Sequence, residues 1–467
     1  MPEPATEMRR ARLFPVSGIG SDLEAETRAT SALLAVLTVV RDLSTELFSP
    51  LGASRAGAAS VEAFTEIIAE CNGRKMRPDG LIRIAYRKSL WQAYVEVKTG
   101  DNRLGADQIN DYWDLARAKK VDYVITISNE IAPQPGAHPT AGLRVRANSP
   151  VQVAHISWTR ILTTAVKLRE HKGVGDPEQA FILQELIRYL EHSRSGVLAL
   201  SDMGGFWTAV RDGARAATLT KRSEGVDDIV ARFEQLLAYG GLRLGAEIGE
   251  DVSQVLSRAH QKDPASRQLH LADTLASRGL LAGTLRIPNT AGDLDIEVDL
   301  RGQQLVLSTM LAAPEDKGPS PRVTWLLNQL NDAPDELVIE SYAKNARTAT
   351  AASLAELREN RLAIVPDKDH PPAKFKLVLR LPMGTARRTK RTPGFIDSVL
   401  DGIGMFYAQV LQNLASYVPP APKIAKQAPA VDDSLKDAIR SDVSMDEDSN
   451  WRLSRVPGES DDETARQ

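Results

Sequence analysis

The chain has 467 residues, 42% hydrophobic and 25% charged, the balance of an ordinary folded protein and enough length for two or three domains. A single cysteine, Cys71, excludes an internal disulfide framework and a cysteine-built zinc cluster, and no two histidines stand at HxxxH or HExxH spacing. The formal net charge of −3 is unevenly spread, with 11 Lys and Arg against 6 Asp and Glu from Arg74 to Lys120, and 4 against 11 from Asp432 to Glu463. A basic segment of this kind fits a phosphate-bearing partner, and equally a solvated face.

Residues 1–20 carry arginines without a following apolar run, so a flexible N-terminus and no secretory signal are expected. The apolar run Leu33 to Val40 is too short to span a bilayer, which makes the cytoplasm the expected location. Residues 21–48 read as one helix: Ser21 is an N-cap, Glu24 follows as in a capping box, and Leu33, Leu37, Val40, Leu43 and Leu47 keep helical spacing. Val61 to Ile67 alternates as a strand does, with a short helix as the alternative. Asn72-Gly73 is a turn signal, so Val61–Ile68 and Met76–Tyr86 are expected to pair as a hairpin. Trp91 to Val97 is nearly all apolar and therefore a central strand. A helix over Gly105 to Lys120, a strand over Val121 to Ser128, a strand over Val151 to Trp158 and a helix over Thr159 to Lys172 complete an α/β layer.

From Pro177 to Gln261 the spacing is helical, with Leu183, Leu186 and Leu190 on one stripe and Val226, Ile229, Phe233 and Leu237 on another. Beyond Gly283, alternating strands such as Leu294 to Leu300 and Gln304 to Leu311 give way to a closing helix over Phe395 to Tyr417. The expected organisation is an α/β domain over 21–172, a helical region over 173–282, an α+β accessory domain over 283–418, and a disordered, Pro-led acidic tail over 419–467.

The chemistry-bearing stretch runs from Arg77 to Tyr112. Pro78-Asp79 precedes one strand; Glu96-Val97-Lys98 closes another; Gln108 and Tyr112 stand four apart on the next helix. Alternation puts Glu96 and Lys98 on one strand face, and i,i+4 spacing puts Gln108 and Tyr112 on one helix face. Two carboxylates beside an ammonium make a costly core but suit a hard cation and a water molecule. This ordered set resembles the PD-(D/E)xK nuclease superfamily, Pro78-Asp79 and Glu96-Val97-Lys98 matching its half-motifs and Gln108/Tyr112 the QxxxY motif of its RecB-like members.

The resemblance covers roughly residues 20–160 and implies a restriction-endonuclease-like core, a mixed central sheet flanked by helices. It implies Mg²⁺, with Mn²⁺ as a substitute, held by Asp79, Glu96 and the backbone carbonyl of Val97, with Glu46 or Glu66 as a further acid and Glu46 slightly favoured. It implies phosphodiester hydrolysis, in DNA rather than RNA, with Lys98 orienting the water and Gln108 and Tyr112 bracing the site toward Lys98 or a phosphate. A defence or repair setting follows from the resemblance alone. Arg103, Lys119, Lys120 and the dense cluster Arg387, Arg388, Lys390 and Arg391 are candidates for phosphate contacts, and the C-terminal domain or acidic tail for a protein partner. The plain alternative is a Glu96–Lys98 surface pair with Asp79 as a turn residue. At the level of function the alternative is a non-catalytic nucleic-acid-binding or stress-response adaptor.

Overall fold

The α1 helix (Asp22–Val39) begins at Ser21, whose hydroxyl accepts the Glu24 amide, and ends where Val40 leaves helical geometry. α2 (Arg41–Phe48) restarts at once, so the single helix expected over 21–48 is two helices, each laying its own apolar stripe on the core. The computed structural model describes residues 11–55, 58–71, 73–132, 137–145, 148–197, 200, 202–365, 370–384, 394–419 and 421.

The strands that follow are β1 (Ser60–Thr65), β2 (Ala69–Cys71), β3 (Arg74–Met76), β4 (Gly80–Tyr86) and β5 (Ser89–Val97). Then come α3 (Ala106–Lys119), β6 (Tyr123–Ser128), β7 (Gln152–Ser157), α4 (Trp158–Lys167) and α5 (Pro177–Leu190). β1 pairs with β4 antiparallel, Ser60 against Ala85 through Thr65 against Gly80, so the strand reading of Val61 to Ile67 holds over Ser60–Thr65 and the helix alternative does not. Between β1 and β4 the described residues form the small β2–β3 ribbon, Ala69 against Met76 through Cys71 against Arg74, after Glu66 enters the left-handed region (φ 56°) and ends β1.

The five-stranded sheet runs β1-β4-β5-β6-β7, antiparallel from β1 to β5 and parallel from β5 to β7. It is a mixed sheet flanked by helices, and β5 is its central strand. Strand parity decides what each face covers. Trp91, Ala93, Val95 and Val97 face a core shared with α1, α2, α4 and α5, while Tyr94 faces Tyr112, Leu115 and Ala116 of α3. Glu96 therefore lies on the α3 side. Gly80 is needed where β4 meets α1, since a Cβ there would come within 2.6 Å of Leu34 Cδ1.

The second half contains α6 (Trp207–Arg215), α7 (Val226–Ile248), β8 (Ser253–Gln254), α8 (Arg258–Lys262) and α9 (Pro264–Arg278). These are followed by β9 (Leu280–Arg286), β10 (Leu294–Asp299), β11 (Gln304–Ala312), α10 (Pro319–Leu327), β12 (Val338–Ala343), β13 (Thr350–Ser353), α11 (Leu354–Glu359), β14 (Pro372–Pro382) and α12 (Phe395–Gln409). Its seven strands form an antiparallel sheet in the order β13-β12-β14-β11-β10-β9-β8, with α7, α9 and α12 packed against it.

The boundaries expected at 172 and 282 do not separate the cores. α5 buries Leu183, Leu186 and Leu190 with the first sheet, whereas α7 and α9 bury Phe233, Leu237, Leu271 and Leu275 with the second. The helical stretch is thus divided between two cores and is no block of its own, and the chain through Tyr417 forms one compact unit. The expected acidic tail over 419–467 lies outside the described residues apart from Pro419 and Ala421. Among the described residues no helix is long and apolar enough to cross a membrane.

Candidate active site

In the β4–β5 register Gly80 faces Val95, so Asp79 and Glu96, each one step further on, come opposite one another. Asp79 Oδ2 accepts the Val97 amide at 2.8 Å, which fixes the aspartate against the catalytic-strand candidate and not out in a solvent turn. Lys98 Nζ lies 2.8 Å from Glu96 Oε1, 3.2 Å from Glu26 Oε1 and 3.1 Å from the Val97 carbonyl. The lysine is half-buried and its backbone is pinned as well: its amide donates to Ile127 O at 2.7 Å, and its carbonyl accepts the Trp158 indole N–H at 2.9 Å. Glu96, Lys98, Asp79 and the Val97 carbonyl therefore converge, whereas the plain alternative called for a surface ion pair and a turn residue. The Glu96 side chain is only 2% exposed.

Neither predicted third acid is in the site. Glu46 pairs with Lys172 at 2.6 Å on the far side of the first core, and Glu66 pairs with Arg77 at 3.3 Å in solvent. The third carboxylate is Glu26, one turn into α1, which no motif marked. Its burial raises its pKa against the opposing pull of Lys98.

Electrostatics follow from burial and crowding. Burial first, and the neighbouring Asp79 charge second, push the Glu96 carboxyl up to about 7, with Lys98 pulling the other way. Burial alone would lower Lys98, but its hydrogen bond to Glu96 and the charges of Glu96, Glu26 and Asp79 outweigh it and hold the ammonium at about 12. Three carboxyls around one ammonium leave a formal charge of −2, a field that favours a dication. Glu96 Oε2 is moreover buried without any hydrogen-bond partner. A desolvated acceptor of this sort is costly unless something positive meets it. Asp79, Glu96 and the Val97 carbonyl are the groups that could hold a hard cation, the small oxygen set that Mg²⁺ takes while keeping its waters. Among the described residues no three His, Cys, Asp or Glu side chains form a ready-made metal cage.

Gln108 and Tyr112 do meet on one face of α3, the amide donating to the phenol oxygen at 3.3 Å. The phenol, expected to approach a phosphate or Lys98, donates to the Arg77 carbonyl at 2.9 Å, so it braces the segment that carries Asp79. Burial, then the Glu96 charge, raises the Tyr112 phenol to about 12, which keeps it a donor. Gln108 is exposed beside it.

Arg103 is exposed in the loop between β5 and α3, whereas Lys119 and Lys120 lie at the opposite end of that helix, about 16 Å of helical rise from Gln108. Arg387, Arg388, Lys390 and Arg391 lie outside the described residues.

A second polar group lies in the same sheet row as Glu96, since Glu96 pairs with Thr126 and Thr126 with His155. His138 Nδ1 accepts the Thr140 amide, so its Nε2–H donates to Thr126 Oγ1 at 2.8 Å. His155 Nε2–H donates to Glu130 O, so its Nδ1 accepts from the same hydroxyl at 3.0 Å. Burial lowers both imidazoles to about 4, and they act as neutral bracing. Compared with protein-family models, with curated proteins and with solved structures, the chain matches none.

Proposed function

We propose that the chain is a Mg²⁺-dependent nuclease with a restriction-endonuclease-like core that hydrolyses phosphodiester bonds, in DNA in preference to RNA. The element order α1, β1, β4, β5, α3, β6 supports the core, and the PD-(D/E)xK resemblance supports the substrate. The observation that carries the reading is the unpartnered Glu96 Oε2, buried beside Asp79 in a pocket of net negative charge. Bound there, Mg²⁺ supplies Lewis acidity to a phosphate oxygen and acidifies a coordinated water.

The chain's own groups do the rest. Asp79 and Glu96 set the cation's position, and the Val97 amide locks Asp79 in place. Lys98, held as an ammonium, cannot take a proton from water; it orients the nucleophile and stabilises the charge that grows on phosphorus as the water oxygen adds and the ester oxygen leaves. Glu26 keeps the ammonium aimed from its other side. Tyr112 holds the Arg77–Asp79 segment, and Gln108 sits at the entrance. Arg103 and the Arg387, Arg388, Lys390 and Arg391 cluster are the candidate phosphate grips, through counterion release.

The test is cleavage of linear and circular plasmid by the purified chain with Mg²⁺, with Mn²⁺ and with chelator, beside Glu96→Gln and Lys98→Ala. Both variants should lose cleavage while keeping most of their DNA affinity measured in Ca²⁺, whereas Arg388→Ala with Arg391→Ala should weaken binding and flatten its salt dependence. Binding without cleavage of any substrate, unaltered in Glu96→Gln, would favour the adaptor instead.

A further inference from the structure

On the α2 and α4 side of the first sheet, a cavity of about 360 Å³ opens between α2 and the turn after it, α4 with the turn that continues it, and Asp251 before β8. Trp91 Nε1 donates to Leu51 O, tying that turn to the early part of β5, and Glu96 lies about 17 Å further along the strand. None of Glu26, Asp79, Glu96, Lys98, Gln108 and Tyr112 lines the cavity, so its chemistry is argued independently of the nuclease reading.

Four cations line it against two carboxylates. Lys172 reaches Glu46 at 2.6 Å, and Lys167, largely buried, reaches Asp251 at 2.6 Å. Arg55 and Arg160 make no side-chain hydrogen bond or ion pair among the described residues, so two guanidinium forks remain unused at one concave wall. The surplus positive charge is felt inside: Asp251 is held below the usual carboxylate range, first by its hydrogen bond to Lys167, with the charges of Lys167, Arg160 and Lys172 adding to it against burial. No aromatic ring is among the described residues that line the cavity, so none of them stacks on a base; what the wall recognises is anionic charge. A guanidinium fork matches two phosphate oxygens, and two forks match two phosphoryl groups.

We infer that this cavity binds a diphosphate group, carried by inorganic pyrophosphate or by a nucleoside diphosphate, with Arg55 and Arg160 as its principal grips and Lys167 and Lys172 as flanking charges. Because Asp251 follows α7 of the second core while Arg160, Lys167 and Lys172 belong with the first, the ligand lies where the two cores meet and stabilises the whole chain on binding.

Calorimetric titration of the full chain with pyrophosphate and, separately, with ADP tests this, in chelator at fixed ionic strength so that the catalytic carboxylates offer no cation to either. Wild type should bind at least one probe. ADP binding more tightly than pyrophosphate identifies a nucleotide as the carrier; equal or weaker binding identifies pyrophosphate. Arg55→Ala with Arg160→Ala should weaken binding roughly 100-fold, the scale of two lost charge-assisted contacts. Glu46→Gln should tighten it several-fold by removing a competing charge, and Glu96→Gln should leave it unchanged. Arg55 and Arg160 are exposed, and circular dichroism checks that their variant is folded. The inference is overturned if neither probe binds wild type, if the double variant binds as wild type does, or if Glu96→Gln removes binding.

Discussion

Replacing Glu96 by Gln should destroy cleavage and, in the absence of metal, make the protein more stable. Burial and Asp79 raise this carboxyl from an ordinary 4.5 to about 7. The folded state then holds the proton more tightly than the unfolded chain, so the group's contribution to stability is complete below about 4.5 and is lost as pH rises through about 7. The gap corresponds to about 3 kcal/mol of instability at pH 8 in chelator. Glutamine is neutral at every pH and never incurs it. Part of the gain is offset because Lys98 loses one partner, although it keeps Glu26 at 3.2 Å and the Val97 carbonyl at 3.1 Å. A net stabilisation of about 1–2 kcal/mol remains. The assay is urea unfolding of both proteins from pH 5 to pH 8 in EDTA, following the Trp91 and Trp158 signal of the first core. The variant's advantage should be largest at pH 8 and shrink to nothing near pH 5. Mg²⁺ should raise wild type at pH 8 while leaving the variant where it was. A variant less stable than wild type at pH 8, or one equally stabilised at pH 5, would refute the account of a buried, uncompensated carboxylate.

Glu26→Gln should lower the cleavage rate by roughly 10- to 100-fold without unfolding the chain, whereas Glu66→Gln should cleave as wild type does, a contrast that initial-rate measurements on plasmid can read. Trp158→Phe removes the indole donor to the Lys98 carbonyl inside a filled core, and should cost about 1–3 kcal/mol in denaturant unfolding along with a fall in cleavage rate. Tyr112→Phe frees the Arg77 carbonyl; its expected signature is a loss of about 1 kcal/mol with a modest rate defect, and an unchanged protein would show that the brace is idle. Chelator should abolish cleavage, with Mn²⁺ restoring it and Ca²⁺ supporting binding alone.

Much of the site is legible in the sequence because its geometry is short-range. Glu96 and Lys98 share a face by strand alternation, Gln108 and Tyr112 by helical spacing, and Asp79 arrives through the β4–β5 register. Glu26 escapes such reasoning because it lies 72 residues before Lys98 and is joined to it only through tertiary packing. A signal is present all the same. Ala29, Thr30, Leu33, Leu34 and Leu37 form the buried stripe of α1, and Glu26 stands three and four positions before its first members, an acid on the apolar side of a helix. Glu46 and Glu66 stand close in sequence to helix and strand ends, which made them candidates, yet each is paired with a cation away from the site, Glu46 with Lys172 through tertiary packing and Glu66 with Arg77 nearby in the chain. The domain limits fail for a different reason: an amphipathic helix declares that one side is buried but not against which sheet. α5 and α7 read alike in sequence and serve different cores.

The strand end that carries Lys98 is also stitched to the connector leaving α5. The Gly100 amide donates to Gly196 O at 2.8 Å, and Asn129 Nδ2 donates to both the Gly196 and the Gly100 carbonyls. The stitch needs glycine, since Gly196 has a φ of 77° and a Cβ there would stand 2.7 Å from the Thr99 Cβ. Gly196 thus behaves as a clasp, and the exchange of one proton reports whether it is fastened. The Gly100 amide can meet solvent only when residues 195–197 swing away, so its protection against hydrogen exchange measures the opening of the connector toward the second core. An opening at that point frees the backbone at Gly100, two residues from Lys98, whose own amide and carbonyl stay held by Ile127 O and the Trp158 indole.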